Sequence, residues 1–83
     1  MTKRIYTVTE WSEGGDEYHF DDVYKSPKSA MKAIRDQAEA HYSSDDEIEE
    51  PFEECFIAED DGAVLMSGDV RVWEWAITER QVV

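Results

Sequence analysis

Cysteine and long apolar runs are scarce in this chain, and each shortage excludes a class of protein. Cys55 is the only cysteine, so neither an internal disulfide nor a multi-cysteine zinc site can form. No apolar run is longer than four residues, the length of Ala63 to Met66, which is far too short for a transmembrane helix. The basic start, Met1 to Arg4, leads into polar residues rather than a signal-peptide apolar stretch. We therefore expect no membrane partner and a cytoplasmic location.

Basic residues are absent from the middle of the chain. Residues 36–70, the acidic block, hold thirteen Asp and Glu residues and no lysine or arginine, whereas the remaining residues hold eight acids and eight bases. The formal net charge of -13 therefore comes from one contiguous block. Charge gathered in this way indicates either a surface that meets a positive partner or a segment that is unfolded.

Catalytic motifs are also missing. The sequence has no Gly-rich phosphate loop, no nucleophile elbow and no His-x-x-x-His spacing. Cys55 directly follows Glu53 and Glu54, whose charge raises the pKa of a thiol and makes it a poor nucleophile. We therefore predict that the protein is not an enzyme and that it has no catalytic, cofactor-binding or metal-ligating residues.

The composition is nevertheless that of a folded protein. Hydrophobic residues make up 41% of the chain and aromatic residues 12%. A chain of 83 residues has material for one modest core, which predicts a single domain over residues 1–83.

The first half of the chain reads as a hairpin followed by a helix. Residues 4–11 and 17–24 are rich in β-branched and aromatic residues and flank Gly14-Gly15, which predicts two antiparallel strands. The second strand is expected to place Tyr18, Phe20, Asp22 and Tyr24 on one face. Ser26-Pro27 is typical of a helix start, and an apolar stripe at three- and four-residue steps continues to about Tyr42.

The second half reads as a connection followed by three strands. Residues 43–54, the acidic connection, contain Pro51, which excludes a regular helix through their middle. Strands are predicted over residues 55–58, 63–67 and 70–79, joined by turns at Asp60-Asp61-Gly62 and Gly68-Asp69. The fold class is therefore α+β: a four- to five-stranded antiparallel sheet with one helix packed on one face, in the order β-β-α-β-β-β.

Strict alternation in the last strand predicts that two tryptophans share a face. Arg71, Trp73, Trp75 and Ile77 would lie on one side, and Val70, Val72, Glu74, Ala76 and Thr78 on the other. The tryptophans are either core residues under the helix or an exposed apolar anchor for a partner.

The acidic block is the main functional candidate. In an extended segment, carboxylates at alternate positions lie about 6.6 Å apart on one side, which is similar in scale to the spacing of nucleic-acid phosphates. Such a surface fits the groove of a basic nucleic-acid-binding protein, whereas direct binding of nucleic acid is excluded by repulsion. The predicted partner-binding carboxylates are those of Asp45, Asp46, Glu47, Glu49, Glu50, Glu53, Glu54, Glu59, Asp60 and Asp61.

Two other interpretations of the same residues remain open. The acidic block can serve only solubility, on a small structural or assembly module that pairs through a strand edge or the tryptophan face. It can also bind calcium weakly, although residues 43–54 lack the glycine of an EF-hand loop. The oligomeric state expected under these readings is a monomer or a weak homodimer.

The chain resembles one class of known proteins. Small, very acidic chains without catalytic motifs are similar to phage-encoded inhibitors that mimic DNA, including anti-restriction, anti-CRISPR and uracil-DNA glycosylase inhibitor proteins. The segment 64–69 followed by Trp75-Ala76-Ile77 looks like a strand, a turn and the next strand of uracil-DNA glycosylase inhibitors. The resemblance implies a non-enzymatic inhibitor that occludes a DNA-binding surface. In that family the helices precede the sheet, whereas this chain begins with a hairpin, so no residue roles are carried over.

Overall fold

The computed structural model describes residues 3–82, which form one antiparallel sheet and two helices. The elements in chain order are β1 (Lys3–Ser12), β2 (Glu17–His19), α1 (Pro27–Ser44), α2 (Phe52–Cys55), β3 (Phe56–Glu59), β4 (Gly62–Ser67) and β5 (Val70–Val82). The strand order in the sheet is β2-β1-β5-β4-β3. This confirms the predicted α+β class and element order, with α2 as an addition that was not predicted.

The helix α1 begins where the sequence predicts. Ser26 is its N-cap: the side chain accepts the Ser29 backbone N–H at 3.1 Å, and the Ser29 hydroxyl lies 3.3 Å from the Ser26 backbone nitrogen in return. Ala30, Ile34 and Ala38 form the buried stripe of the helix and pack against the sheet. On the sheet side, the same core contains Val8, Leu65 and Trp75 among other residues.

The two hairpins are present, with changed limits. The predicted second strand ends at His19 rather than Tyr24, although Tyr24 rejoins the sheet in an isolated bridge with Tyr6. Gly68 has φ of +60°, and no residue other than glycine has a positive φ among residues 3–82, so the two-residue turn before β5 has the φ pattern of type II′. Gly62, expected in a turn, instead begins β4, where its backbone lies against the Trp75 carbonyl.

A β-bulge interrupts the alternation of the last strand, so the strict alternation predicted for it is wrong at Arg71. Leu65 pairs with Trp73, but the next residue of β4, Met66, pairs with Arg71, so that Val72 is an extra residue. Arg71 is therefore shifted out of phase with Trp73 and lies 3.4 Å from the Glu74 carboxylate, on the face opposite to the one predicted.

The long β1–β5 pair makes the protein elongated. These strands are paired from Lys3↔Val82 to Ser12↔Trp73, and the principal extents of the fold are 48 × 23 × 19 Å. The radius of gyration is 13.5 Å, compared with about 12 Å for a compact chain of this length. The long dimension exceeds one turn of duplex DNA, which is about 34 Å.

Candidate functional site

The acidic connection is folded onto the core, contrary to the alternative of an unfolded segment. Ile48, in its centre, is 8% exposed and belongs to the hydrophobic core. The Tyr42 hydroxyl donates to the Glu50 backbone carbonyl at 2.8 Å, and the Cys55 thiol lies 3.5 Å from the same oxygen. The Asp45 carboxylate accepts the Glu47 backbone N–H at 3.0 Å, which forms a local turn. The backbone that carries these carboxylates is therefore fixed.

The acidic connection is nevertheless not an extended segment along its whole length. Pro51 is followed at once by the helical turn α2, which contains Glu53 and Glu54. The spacing expected for carboxylates at alternate positions of an extended segment therefore does not apply to Glu53 and Glu54. The helix was missed because a single turn is too short to show a periodic pattern.

The ten predicted carboxylates belong to consecutive parts of the chain between α1 and β4. They follow the end of α1, occupy α2 and the last residue of the edge strand β3, and continue into the turn before β4. Asp45 and Glu50 are partly buried, and the other eight residues are exposed. That the ten carboxylates form one contiguous surface remains a prediction, since they belong to four parts of the chain: residues 45–50, α2, β3 and the turn before β4.

One of the ten carboxylates is neutralised within the chain. The Arg35 guanidinium of α1 forms an ion pair with Glu53 and lies 3.3 Å from the Glu39 carboxylate. Its central carbon also lies 5.3 Å from the centroid of the Phe52 ring, which attaches α2 to α1. Within residues 3–82, the other nine predicted carboxylates have no ion-pair partner.

The tryptophans of β5 are core residues rather than an exposed anchor. Trp75 is 2% exposed. Trp73 is partly buried and stacks on the His41 ring of α1, with 3.6 Å between centroids and 7° between planes. Neither ring is therefore free to act as an exposed apolar anchor.

A buried carboxylate in β1 was missed by the sequence analysis. Glu10 is 4% exposed, and its Oε1 accepts the Trp75 indole N–H at 2.8 Å and lies 3.1 Å from His41 Nε2. The signal that could have found it is alternation: Tyr6, Val8 and Glu10 occupy every second position of β1 and therefore share the inward face. The network fastens the end of α1 to the sheet beside the acidic connection.

Cys55 is buried, as expected for a structural cysteine. Burial raises the pKa of its thiol, and the Glu50 and Glu54 carboxylates raise it further. Because the thiolate is the reactive form, this environment makes the sulfur a poor nucleophile.

Neither a metal-binding cluster nor a membrane-spanning helix is found within residues 3–82. No group of three or more His, Cys, Asp or Glu side chains is placed so that it could hold a metal ion. No helix in this range is both long and apolar enough to cross a membrane.

Comparison with known proteins gives no relative for this chain. No protein-family model, no curated protein and no solved structure matches it.

Proposed function

We propose that this chain is a non-enzymatic binding protein that occludes the nucleic-acid-binding surface of a basic target protein. The observation that carries the proposal is the set of nine carboxylates that have no ion-pair partner within residues 3–82, most of them exposed. Five of them, at residues 45–50, lie on backbone that Ile48 and Tyr42 hold against the core. A pre-ordered acidic surface binds more tightly than a disordered one, because less conformational entropy is lost on binding.

The mechanism is electrostatic substitution. Lysine and arginine side chains that otherwise contact phosphates pair with the carboxylates, and the long-range field steers the two proteins together. The chain itself does not bind nucleic acid, because its charge repels phosphates.

The proposal is tested by capture from a cell lysate with a matched pair of variants. Asp60→Asn/Asp61→Asn removes two exposed charges in the turn before β4, and Asp16→Asn/Glu17→Gln removes two exposed charges from the β1–β2 hairpin. We expect the first variant to bind the retained basic protein about tenfold more weakly. The second variant is expected to bind as the unchanged chain does.

Two results of this experiment would contradict the proposal. One is retention of no nucleic-acid-binding protein by the unchanged chain at low salt. The other is an equal loss of binding in both double variants, since this would mean that total charge, rather than the acidic block, governs the interaction.

A second candidate function, a small assembly module, is favoured by the edge strand β3. This strand pairs only with β4 in the sheet, and its Ile57 is 48% exposed. Under this reading two copies join through β3, and Ile57→Lys abolishes the association. Sedimentation over a range of concentrations tests it: a strict monomer at the highest concentration contradicts self-assembly.

A further inference from the structure

An open cleft of about 360 Å³ lies between α1 and the segment that follows β2. It is separate from the ten predicted carboxylates, and its walls combine aromatic rings with acidic side chains. The residues that matter are Tyr18, Phe20, Asp21, Asp22, Tyr24 and Asp36.

The aromatic wall of the cleft is held in place by the sheet. Tyr24 exchanges two backbone hydrogen bonds with Tyr6, both at 2.8 Å, and the Phe20 N–H donates to the Val8 carbonyl at 3.0 Å. The rings of Tyr18 and Phe20 lie 5.9 Å apart at 54°, and Tyr18 is 51% exposed. The rings therefore line the cleft from a fixed backbone while remaining accessible from solvent.

The acidic side chains give the cleft a negative potential. Asp21 and Asp22 are exposed, and Asp36 faces them from α1, where it is paired with Lys32 at 3.0 Å. Burial raises the pKa of Tyr24, and the Asp22 carboxylate and the Tyr18 hydroxyl raise it further. Desolvation, the larger cause, disfavours charge of either sign, whereas the contribution of Asp22 reflects the negative charge at the wall of the cleft, with which a cation can pair.

We infer that this cleft binds the side chain of an arginine presented by a partner protein. A guanidinium stacks on aromatic faces and donates two parallel hydrogen bonds to a carboxylate, and this cleft offers both kinds of surface. A lysine ammonium is more strongly hydrated and lacks the planar fork, so it fits these walls less well. The three aromatic rings distinguish this cleft from the two other clefts that carboxylates line, one containing Glu59 and Asp61 and the other containing Asp45 and Glu47.

The inference does not depend on the proposed function. An arginine site predicts where a basic partner is held and in which register, whether or not that partner binds nucleic acid. The two proposals also rely on different carboxylates, so that either can fail alone.

The test uses the whole chain and a capped Gly-Gly-Arg-Gly-Gly peptide, titrated at constant ionic strength and followed by two-dimensional amide NMR. We expect shifts at residues 18–24 and 33–37. The same peptide with citrulline, the neutral isostere of arginine, is expected to bind at least about tenfold more weakly. Asp21→Asn/Asp22→Asn weakens arginine binding about fivefold, while the matched variant Asp60→Asn/Asp61→Asn changes it less than about twofold.

Four outcomes would overturn the inference. They are no shift up to tens of millimolar peptide, equal binding of the arginine and citrulline peptides, equal weakening in the two double variants, and shifts that map to residues 45–61 instead of the cleft. A loss of folding in the Asp21→Asn/Asp22→Asn variant is detected in its own amide spectrum, and the citrulline comparison on the unchanged chain then decides the matter.

Discussion

The Trp75 indole donates its Nε1 hydrogen to Glu10 Oε1 at 2.8 Å, between two residues that lie directly opposite each other in the β1–β5 pair. The same oxygen lies 3.1 Å from His41 Nε2, so a strand, its neighbour and the helix meet at one carboxylate. Glu10 is the only buried charged residue within residues 3–82, and no buried side-chain nitrogen or oxygen in that range lacks a hydrogen-bond partner. This hydrogen-bond network joins the core to the C-terminal end of α1, beside the start of the acidic connection.

Glu10→Ala is predicted to lower the free energy of unfolding by about 2–3 kcal/mol, because it leaves the Trp75 N–H and His41 without their buried acceptor. Glu10→Gln is predicted to cost less, since the amide oxygen still accepts one hydrogen bond. Urea unfolding followed by tryptophan fluorescence measures both. Glu13→Ala, an exposed acid beyond the end of β1, serves as the control and should change stability by less than about 0.5 kcal/mol. Equal effects of Glu10→Ala and Glu13→Ala would contradict the structural role of this network.

Gly62→Ala is predicted to destabilise the fold by about 2–3 kcal/mol, since a Cβ at this position would overlap the Trp75 carbonyl oxygen of the neighbouring strand. That oxygen belongs to the backbone and cannot move without disturbing the β4–β5 pair. Gly14→Ala is the matched control, because its nearest neighbour, Ser12 Oγ, is 4.0 Å from the new Cβ and its φ is not positive. Thermal unfolding should show a large loss for the first variant and little change for the second. A neutral Gly62→Ala would mean that β4 lies farther from β5 than described.

Tyr42→Phe is predicted to loosen the acidic connection, because it removes the hydroxyl that donates to the Glu50 carbonyl at 2.8 Å. The expected cost is about 1 kcal/mol, with faster hydrogen exchange confined to residues 45–50. Tyr18→Phe is the control, as the Tyr18 hydroxyl makes no hydrogen bond within residues 3–82. If exchange in the connection is already as fast as in an unfolded peptide before substitution, the acidic surface is not pre-ordered.

The elevated pKa of Cys55 predicts that stability falls in alkaline solution. The unfolded thiol loses its proton above its ordinary pKa of about 8.5, whereas the buried thiol retains its proton to higher pH. The folded state then binds more protons, so its stability is fully present below about pH 8.5 and is lost as pH rises toward the folded pKa. Tyr24, whose pKa is also raised, acts in the same direction above about pH 10. In Cys55→Ala, the free energy of unfolding measured with urea should fall less steeply as pH rises between about 8.5 and 10. An unchanged pH dependence would contradict the raised pKa of the Cys55 thiol.

The features that the sequence predicted are those with local signals. Ser26-Pro27 specifies the start of α1 through capping, and Gly68-Asp69 specifies a tight turn through positive φ. Several of the features that it missed depend on contacts between distant residues. Glu10 becomes a buried acceptor only when residues 41 and 75 meet it, and the cleft beside α1 exists only when residues 18–24 pack beside residues 33–37. The bulge at Val72 was also missed, since it changes the phase of a strand without any glycine or proline to mark it.

The same distinction between local sequence signals and contacts of distant residues applies to the predicted site. The exposed state of most of the ten carboxylates follows from their charge, since unpaired acids are almost never buried. The extended spacing predicted for these carboxylates is wrong at Glu53 and Glu54, because Pro51 caps the start of the helical turn α2. In the sequence, Pro51 indicates only that a longer helix is interrupted. The pairing of Glu53 with Arg35 could not be predicted, because it requires α2 to pack on α1 through Phe52.

The most direct test of the central claim is a competition measurement between this chain and duplex DNA for the target retained at low salt. The labelled target is saturated with duplex, the chain is added at fixed ionic strength, and the fraction of bound DNA is followed by fluorescence anisotropy. We expect complete displacement, with an apparent affinity of the chain that weakens steeply as salt is raised. A ternary complex, in which the target holds the chain and the duplex together at saturation, would contradict occlusion of the nucleic-acid-binding surface.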